Sequence, residues 1–131
     1  MKTLIVEDDF TNRLLLQRFL SRYGECHVAV NGKEAIEAFR LAKRDGRGYD
    51  LICMDILMPE MDGHEAVKEI RASEKEGDIP SLGVRIIMTT GLNDVANVTQ
   101  SAQEHCDAYL LKPIDTARLL HDLKSFGLVP A

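Results

Sequence analysis

An open parallel sheet with helices on both faces is the fold class this sequence predicts, and three observations carry the prediction. Short apolar runs alternate along the chain with segments whose apolar residues recur at three- and four-residue spacing. The runs are mostly continuous rather than alternating in polarity, as in strands covered on both faces. Glycine, proline, asparagine and aspartate mark most of the junctions. Five such strands alternating with five such helices imply parallel pairing through right-handed crossovers, a doubly wound α/β architecture.

The elements follow in order. Thr3-Leu4-Ile5-Val6 is the first strand, and the acidic run Glu7-Asp8-Asp9 follows it. Leu15, Leu16, Phe19 and Leu20 then repeat at helical spacing until the glycine stop at Tyr23-Gly24. His27-Val28-Ala29-Val30 is a second strand, and Asn31-Gly32 introduces a helix bearing Ala35, Ile36, Phe39 and Ala42, closed by Asp45-Gly46-Arg47-Gly48. The third strand is Asp50-Leu51-Ile52-Cys53-Met54, and the helix after Asp62-Gly63 carries Ala66, Val67 and Ile70 on one face. A loop with Gly77, Pro80 and Gly83 leads to the fourth strand, Arg85-Ile86-Ile87-Met88-Thr89. A more polar helix is predicted over 93–104, with Val95, Ala96, Val98 and Ala102. Ala108-Tyr109-Leu110-Leu111 is the fifth strand, and Asp115 is placed to cap a last helix with Leu119, Leu120, Leu123 and Phe126.

The 131 residues suit one domain spanning 1–131 with no output domain, and no linker, repeat or low-complexity segment divides them. The composition, 45% hydrophobic and 28% charged, is that of a globular chain with no apolar run long enough for a membrane span and no secretory pattern, so a cytoplasmic address is expected. The net charge of −5 contains no basic block, which argues against nucleic acid and in favour of a metal or a protein as partner. Cys26, Cys53 and Cys106 form no close pair and read as small buried hydrophobes rather than a disulfide or zinc framework. The four histidines show no ligand spacing.

In sheets of this class, ligands sit beyond the carboxyl ends of the strands, near the point where strand order reverses. Glu7 and Asp8 follow the first strand, Asp55 ends the third, Thr90 ends the fourth and Lys112 ends the fifth. Taken alone, each has an ordinary explanation, since a strand-end Asp commonly serves a turn and a Lys-Pro pair a loop. Their joint occurrence at successive strand ends makes a site. Carboxylates gathered closely repel one another unless a cation neutralises them, and an all-oxygen donor set suits Mg²⁺. Asp8, Asp55, a backbone carbonyl, a phosphoryl oxygen and waters would complete its coordination, with Glu7 placed to hold a ligand water. Asp55 then becomes a candidate nucleophile toward a phosphoryl group, with Lys112 and the Thr90 hydroxyl as partners for the transferred oxygens. Pro113 makes a cis peptide after Lys112 possible.

These residues carry a resemblance. Glu7-Asp8, Met54-Asp55 with Met58-Pro59 and Met61-Asp62-Gly63, Thr90-Gly91, and Tyr109 with Lys112-Pro113 resemble the signature of response regulator receiver domains of two-component signalling (CheY-like, single-domain), from about Lys2 to Phe126. Asn12-Arg13, Asn31-Gly32-Lys33-Glu34-Ala35 and Ile70-Arg71 agree with it. The resemblance implies a flavodoxin-like (βα)5 fold with strand order 2-1-3-4-5. It implies that Asp55 accepts phosphate from a sensor histidine kinase or a histidine phosphotransfer protein. Glu7, Asp8 and Asp55 would hold Mg²⁺ with the Leu57 carbonyl, and Lys112 and Thr90 would engage the phosphoryl group. Tyr109 would turn inward with Thr90, linking phosphorylation to the face formed by the fourth and fifth helices and the fifth strand, where a downstream protein target of unspecified identity binds.

Three features depart from the family pattern. The acidic run has three members, so Asp8 and Asp9 are both open as the direct ligand; Asp8 is preferred because that register aligns Asn12-Arg13 and the helix-one stripe. Gly91 stands where alanine is frequent, and Glu74 to Val84 is long, either a partner-specific loop or, as favoured here, a tolerated surface insertion. Rival readings are an intermediate receiver in a phosphorelay, a receiver that has lost phosphorylation, a nucleotide or flavin binder, and a Mg²⁺-dependent aspartyl-phosphate phosphatase. The binder would need a phosphate cradle after strand one, where this chain has acids. The phosphatase would need a carboxylate two residues after the nucleophile, where this chain has Leu57. Catalysis is thus expected only on the chain's own phosphoryl group.

Leu57 and Leu92, two residues after Asp55 and Thr90, occupy positions that flank the path of the hydrolytic water in the resembled family. Neither side chain can hold that water, so a phosphoryl group on Asp55 is expected to be long-lived. Following the decay of phosphorylated protein tests this: rapid loss, unchanged when polar residues replace both leucines, would contradict it.

Overall fold

The computed structural model describes residues 1–56, 58, 61–75, 83–91 and 106–130. Five strands form one sheet: β1 (Lys2–Val6), β2 (Glu25–Ala29), β3 (Leu51–Asp55), β4 (Arg85–Thr90) and β5 (Ala108–Leu111). Every pairing is parallel, and the order is β2-β1-β3-β4-β5. The helices are α1 (Phe10–Leu20), α2 (Gly32–Arg44), α3 (Gly63–Lys75) and α4 (Thr116–Ser125). The helix predicted over 93–104 lies outside the described residues.

Alternation of side chains along each strand builds two cores from one sheet. Leu4, Val6, Ile52, Met54, Ile86 and Met88 point to one face, where α2 contributes Ala35, Ile36 and Phe39 and α3 contributes Ala66, Val67 and Ile70. Ile5, Leu51, Cys53, Ile87 and Leu110 point to the other, against Leu16 and Leu20 of α1 and Leu119 and Leu123 of α4. The continuously apolar runs are thus explained, because β1, β3 and β4 are interior strands covered on both sides.

The predicted strand His27–Val30 begins two residues earlier and ends one residue earlier than expected. As an edge strand, β2 is exposed at Glu25, His27 and Val28, so its burial pattern does not mark its ends; pairing of Lys2 with Glu25 and of Val6 with Ala29 does. Leu15, expected on the buried stripe of α1, is exposed, and Leu16 and Leu20 fill that role.

Helix starts are set locally. Asn31 Oδ1 accepts from the Glu34 amide at 2.9 Å, Asp62 Oδ1 accepts from the Glu65 amide at 2.9 Å, and Asp115 Oδ1 accepts from the Ala117 amide at 2.9 Å. Of the long segment from Glu74 to Val84, residues 76–82 lie outside the described part, but its base is tied. Arg71 donates to Glu74 at 2.8 Å, to the Val84 carbonyl at 2.7 Å and to Asp107 at 3.0 Å, and Val84 N–H returns to Glu74 at 3.0 Å.

One close approach positions the end of β3. A Cβ on Gly63 would lie 2.5 Å from the Asp55 carbonyl oxygen and 3.0 Å from Ile56 Cα, and the Gly63 amide donates to the Ile56 carbonyl at 2.9 Å. The start of α3 is pressed against the backbone of Asp55, which only glycine allows. Gly63→Ala is expected to destabilise the fold by about 1–3 kcal/mol, the usual cost of overpacking, read as a lower urea midpoint. An unchanged midpoint would show slack in this loop.

Candidate metal and phosphoryl site

The strand order reverses between β1 and β3, and the acidic residues emerge there. Val6 pairs with Met54, so Glu7 leaves β1 beside Asp55 at the end of β3. On the other side of β3, Asp55 is level with Thr89, and Thr90 pairs with Leu111 of β5, just before Lys112. The Lys112 amide donates to the Thr90 carbonyl at 2.7 Å, continuing the sheet by one more bond. The Lys112–Pro113 peptide is cis.

Three carboxylates meet at this point. Ligand oxygens of Glu7, Asp8 and Asp55 lie within 4.8 Å of one another. Glu7 is 1% exposed and Asp55 is 5% exposed, whereas Asp8 faces solvent. Lys112 Nζ sits 2.8 Å from Glu7 Oε1 and 3.1 Å from Asp55 Oδ2, bridging the two buried acids. Asp9 serves the helix instead, its side chain accepting from the Asn12 amide at 3.1 Å to cap α1. Of the two registers open in the sequence, the structure brings Asp8 into the cluster and assigns Asp9 to the helix. An aspartate just before an apolar-periodic helix carries that capping signal in the sequence itself.

Burial and proximity shape the charges. Burial raises the Glu7 pKa from 4.5 to about 7, the adjacent Asp55 adds to the rise, and Lys112 opposes it. Burial works against the Lys112 ammonium, but its bond to Glu7 and the charges of Asp55 and Glu7 outweigh that and hold its pKa above the usual lysine value. Three ionised carboxylates and one ammonium sum to −2, the charge a divalent cation would balance. Glu7 Oε2 is buried without a hydrogen-bond donor, an orphaned oxygen of the kind a hard cation or its water satisfies. The residues present therefore fit a magnesium-sized, oxygen-preferring ion.

The remaining predicted positions are placed as follows. Thr90 is buried, and its hydroxyl donates to the Gly91 carbonyl at 3.3 Å. Tyr109 packs against the apolar cluster under α2 and α3 with its hydroxyl buried, and burial together with the Cys106 thiol beside it raises its pKa. Leu57 and Leu92 lie outside the described residues. Cys53 is buried and its pKa is pushed up to about 12, chiefly by burial; the half-buried Cys26 and Cys106 are also raised, again chiefly by burial. All three are poor nucleophiles, as expected for packing residues. A cleft of about 560 Å³ lined by residues including Tyr49, Arg71, Arg85, Asp107 and Phe126 lies at the opposite, amino-terminal end of the strands and contains none of the acidic cluster.

The sequence pattern of the response regulator receiver domain matches residues 3–124. The chain belongs to the response regulator receiver domain family. A probable transcriptional regulator, ycf27 of Cyanophora paradoxa, is 34% identical over 125 residues, a match covering 95% of this chain and 47% of that protein. The chain thus spans about half the length of that relative. Among solved structures, a chain of the co-crystal of the Saccharomyces cerevisiae histidine phosphotransfer protein Ypd1 with the receiver domain of its downstream response regulator Ssk1 is 30% identical, with a TM-score of 0.81; the match covers 97% of this chain and 88% of that one. The receiver domain of a sensor histidine kinase from Pseudomonas aeruginosa, with a magnesium ion coordinated in its active-site cleft, is 25% identical with a TM-score of 0.75, and the match covers 95% of each chain. The flavodoxin-like fold with order 2-1-3-4-5 is the expected one. The receiver family is a signalling family. Among the described residues, no helix is long and apolar enough to cross a membrane.

Arg13 is a residue whose role sequence reasoning missed. The sequence marks Asn12-Arg13 only as agreeing with the family, whereas Arg13 Nη1 donates to the Glu7 carbonyl at 3.2 Å.

The raised Glu7 pKa yields a signed expectation. A carboxyl with a raised folded pKa stabilises the fold below its unfolded pKa, and that contribution is lost as pH rises through the folded value. In chelator, the stability of the protein relative to Glu7→Gln is therefore expected to fall from about pH 4.5 to about pH 7. A loss of about 3 kcal/mol corresponds to such a shift, measured by urea unfolding across that range. Saturating Mg²⁺ should diminish the fall, because the cation favours the ionised carboxylate. A flat difference between the two proteins would contradict the assignment.

Proposed function

We propose that this chain is a phosphorylation-controlled binding module, in which Asp55 accepts a phosphoryl group from a phosphohistidine donor and the change is read by a protein partner. The observation that carries the reading is the Lys112 ammonium bridging Glu7 and Asp55 within the three-carboxylate cluster at the strand-order reversal. An Asp55 oxygen attacks phosphorus and the phosphorus–nitrogen bond to the donor imidazole breaks. The electron pair of that bond stays on the ring nitrogen, which takes a proton from solvent and leaves as neutral imidazole. The product is an acyl phosphate on Asp55. Glu7, Asp8 and Asp55 would hold Mg²⁺, which supplies charge neutralisation for the phosphoryl oxygens when bound. Lys112 offers its ammonium to one of those oxygens, exchanging part of its contact with Glu7 and Asp55 for the new anion.

The Thr90 hydroxyl, now on Gly91, is the donor that would turn to the phosphoryl group, and Tyr109 is the aromatic that would move with it. This is population shift: phosphate acts only through its better fit to one of two arrangements. Phe10, 66% exposed next to the acidic run, offers a protein donor an apolar contact beside the site. Because Leu57 stands where a phosphatase would need its acid, the only catalysis is on the chain's own phosphoryl group. A receiver domain in the cytoplasm, signalling by protein contact, completes the reading.

A second reading is an intermediate receiver that passes the phosphoryl group onward in a relay. It is favoured by the likeness to a structure in which a receiver domain is crystallised with a phosphotransfer protein.

Incubation with Mg²⁺ and acetyl phosphate, or with a phosphohistidine donor protein, is expected to add one phosphoryl group by intact mass. Asp55→Asn and excess chelator should each abolish it, and Lys112→Ala should slow it by roughly two to three orders of magnitude, the scale of losing one preorganised charge partner. An adduct that persists in Asp55→Asn would overturn the assignment. Transfer of the group back to a phosphotransfer protein would select the relay reading.

A further inference from the structure

We propose that Arg13 is the positioning residue of the acidic cluster, fixing the Glu7–Asp8 peptide so that both carboxylates face a divalent cation. The inference rests on the reading above that Glu7, Asp8 and Asp55 hold that cation. It begins with the backbone. Glu7 N–H donates to the Ala29 carbonyl of β2 at 3.0 Å, and the Glu7 carbonyl accepts from Arg13 Nη1 at 3.2 Å. The Glu7 carbonyl and the Asp8 amide belong to one planar unit, so holding the carbonyl sets the direction in which the chain departs toward Asp8. On the far side of Asp8 the chain is held by the first backbone bond of α1, from the Arg13 amide to the Asp9 carbonyl at 3.0 Å, a bond that any residue but proline would make there. The chain is therefore held immediately before Asp8 by the Arg13 side chain and immediately after it by the start of α1.

Asp8 needs such a grip more than its neighbours do. Glu7 and Asp55 are held by burial and by Lys112, whereas Asp8 is exposed and joins the cluster only through the path of its backbone. The Arg13 side chain is itself restrained: it is half-buried, and its guanidinium carbon lies 5.6 Å from the centre of the Phe10 ring. A planar fork stacked on an aromatic face loses little further freedom when it donates to a carbonyl.

Arg13 has two effects on a cation, of opposite sign. Its positive charge repels the ion, and its hydrogen bond orients the ligands. A half-exposed charge is screened and alters affinity by only about fivefold or less. Loss of a partner that orients a metal ligand typically costs about 10–100-fold in affinity. Positioning should therefore win, and removing the charge should weaken cation binding rather than strengthen it.

Calorimetric titration of the full chain with MgCl₂ at fixed ionic strength, for the unaltered protein, Arg13→Ala and Arg13→Lys, decides the matter. Arg13→Ala is expected to bind Mg²⁺ about tenfold or more weakly, with its thermal midpoint in chelator changed by only a few degrees. Arg13→Lys, which keeps a donor, is expected to recover part of the affinity. Unchanged or tighter binding by Arg13→Ala overturns the proposal and leaves Arg13 as a charge only. Weaker binding in both variants with a matching collapse of the midpoint also overturns it, because Arg13 would then be a general stabilising residue. If the unaltered protein binds no Mg²⁺, the cation reading of the cluster fails and the proposal for Arg13, which rests on it, falls with it.

Discussion

The contact of Lys112 Nζ with both Glu7 and Asp55 is the interaction on which the site depends. Two carboxylates taken out of water beside each other are costly, and an ammonium between them makes the arrangement tenable. One ammonium does not balance three acids. The cluster is left short of positive charge, and burial, with Asp55 adding to it, raises the Glu7 pKa to about 7. On the proposed reading, such a site would gain from a divalent cation and then from the redistribution of Lys112 onto an incoming anion.

The scaffold serves this arrangement by rigidity. Interior strands β1 and β3, with apolar side chains packed on both faces, deliver Glu7 and Asp55 to the same level of the sheet. Gly63 lets α3 press against the Asp55 backbone, and the Arg13 bond to the Glu7 carbonyl holds the opposing loop. The cluster thus stands between two backbone clamps, one behind Asp55 and one behind Glu7. Thr90 ends β4 with its hydroxyl on the Gly91 carbonyl, and Tyr109 in β5 keeps its hydroxyl buried.

Much of this is legible in the sequence where local pattern and burial coincide. Continuous apolar runs mark β1, β3 and β4 because those strands are covered on both faces, and strand-end placement identifies Glu7, Asp8, Asp55 and Lys112 together. Legibility fails where one partner of a contact is backbone. The bond from Arg13 to the Glu7 carbonyl leaves no trace in residue types, and the need for glycine at position 63 reads in the sequence as an ordinary turn. It fails also at the sheet edge, where β2 is placed by its pairing with β1 rather than by its own hydrophobic pattern. Leu15 departs from its expected burial for a related reason, since the direction of a helix stripe is settled by what packs against it.

By itself the sequence determined the order of strands and helices, the chemistry available at each strand end and the family to which the chain belongs, because periodicity and side-chain type are local properties. The tertiary structure alone decided that Asp8 joins the cluster, that Lys112 reaches two acids distant from it in the chain, and that burial lifts the Glu7 pKa well above its ordinary range. Those outcomes depend on distance and burial between residues on different strands. Neither quantity exists until the sheet has assembled.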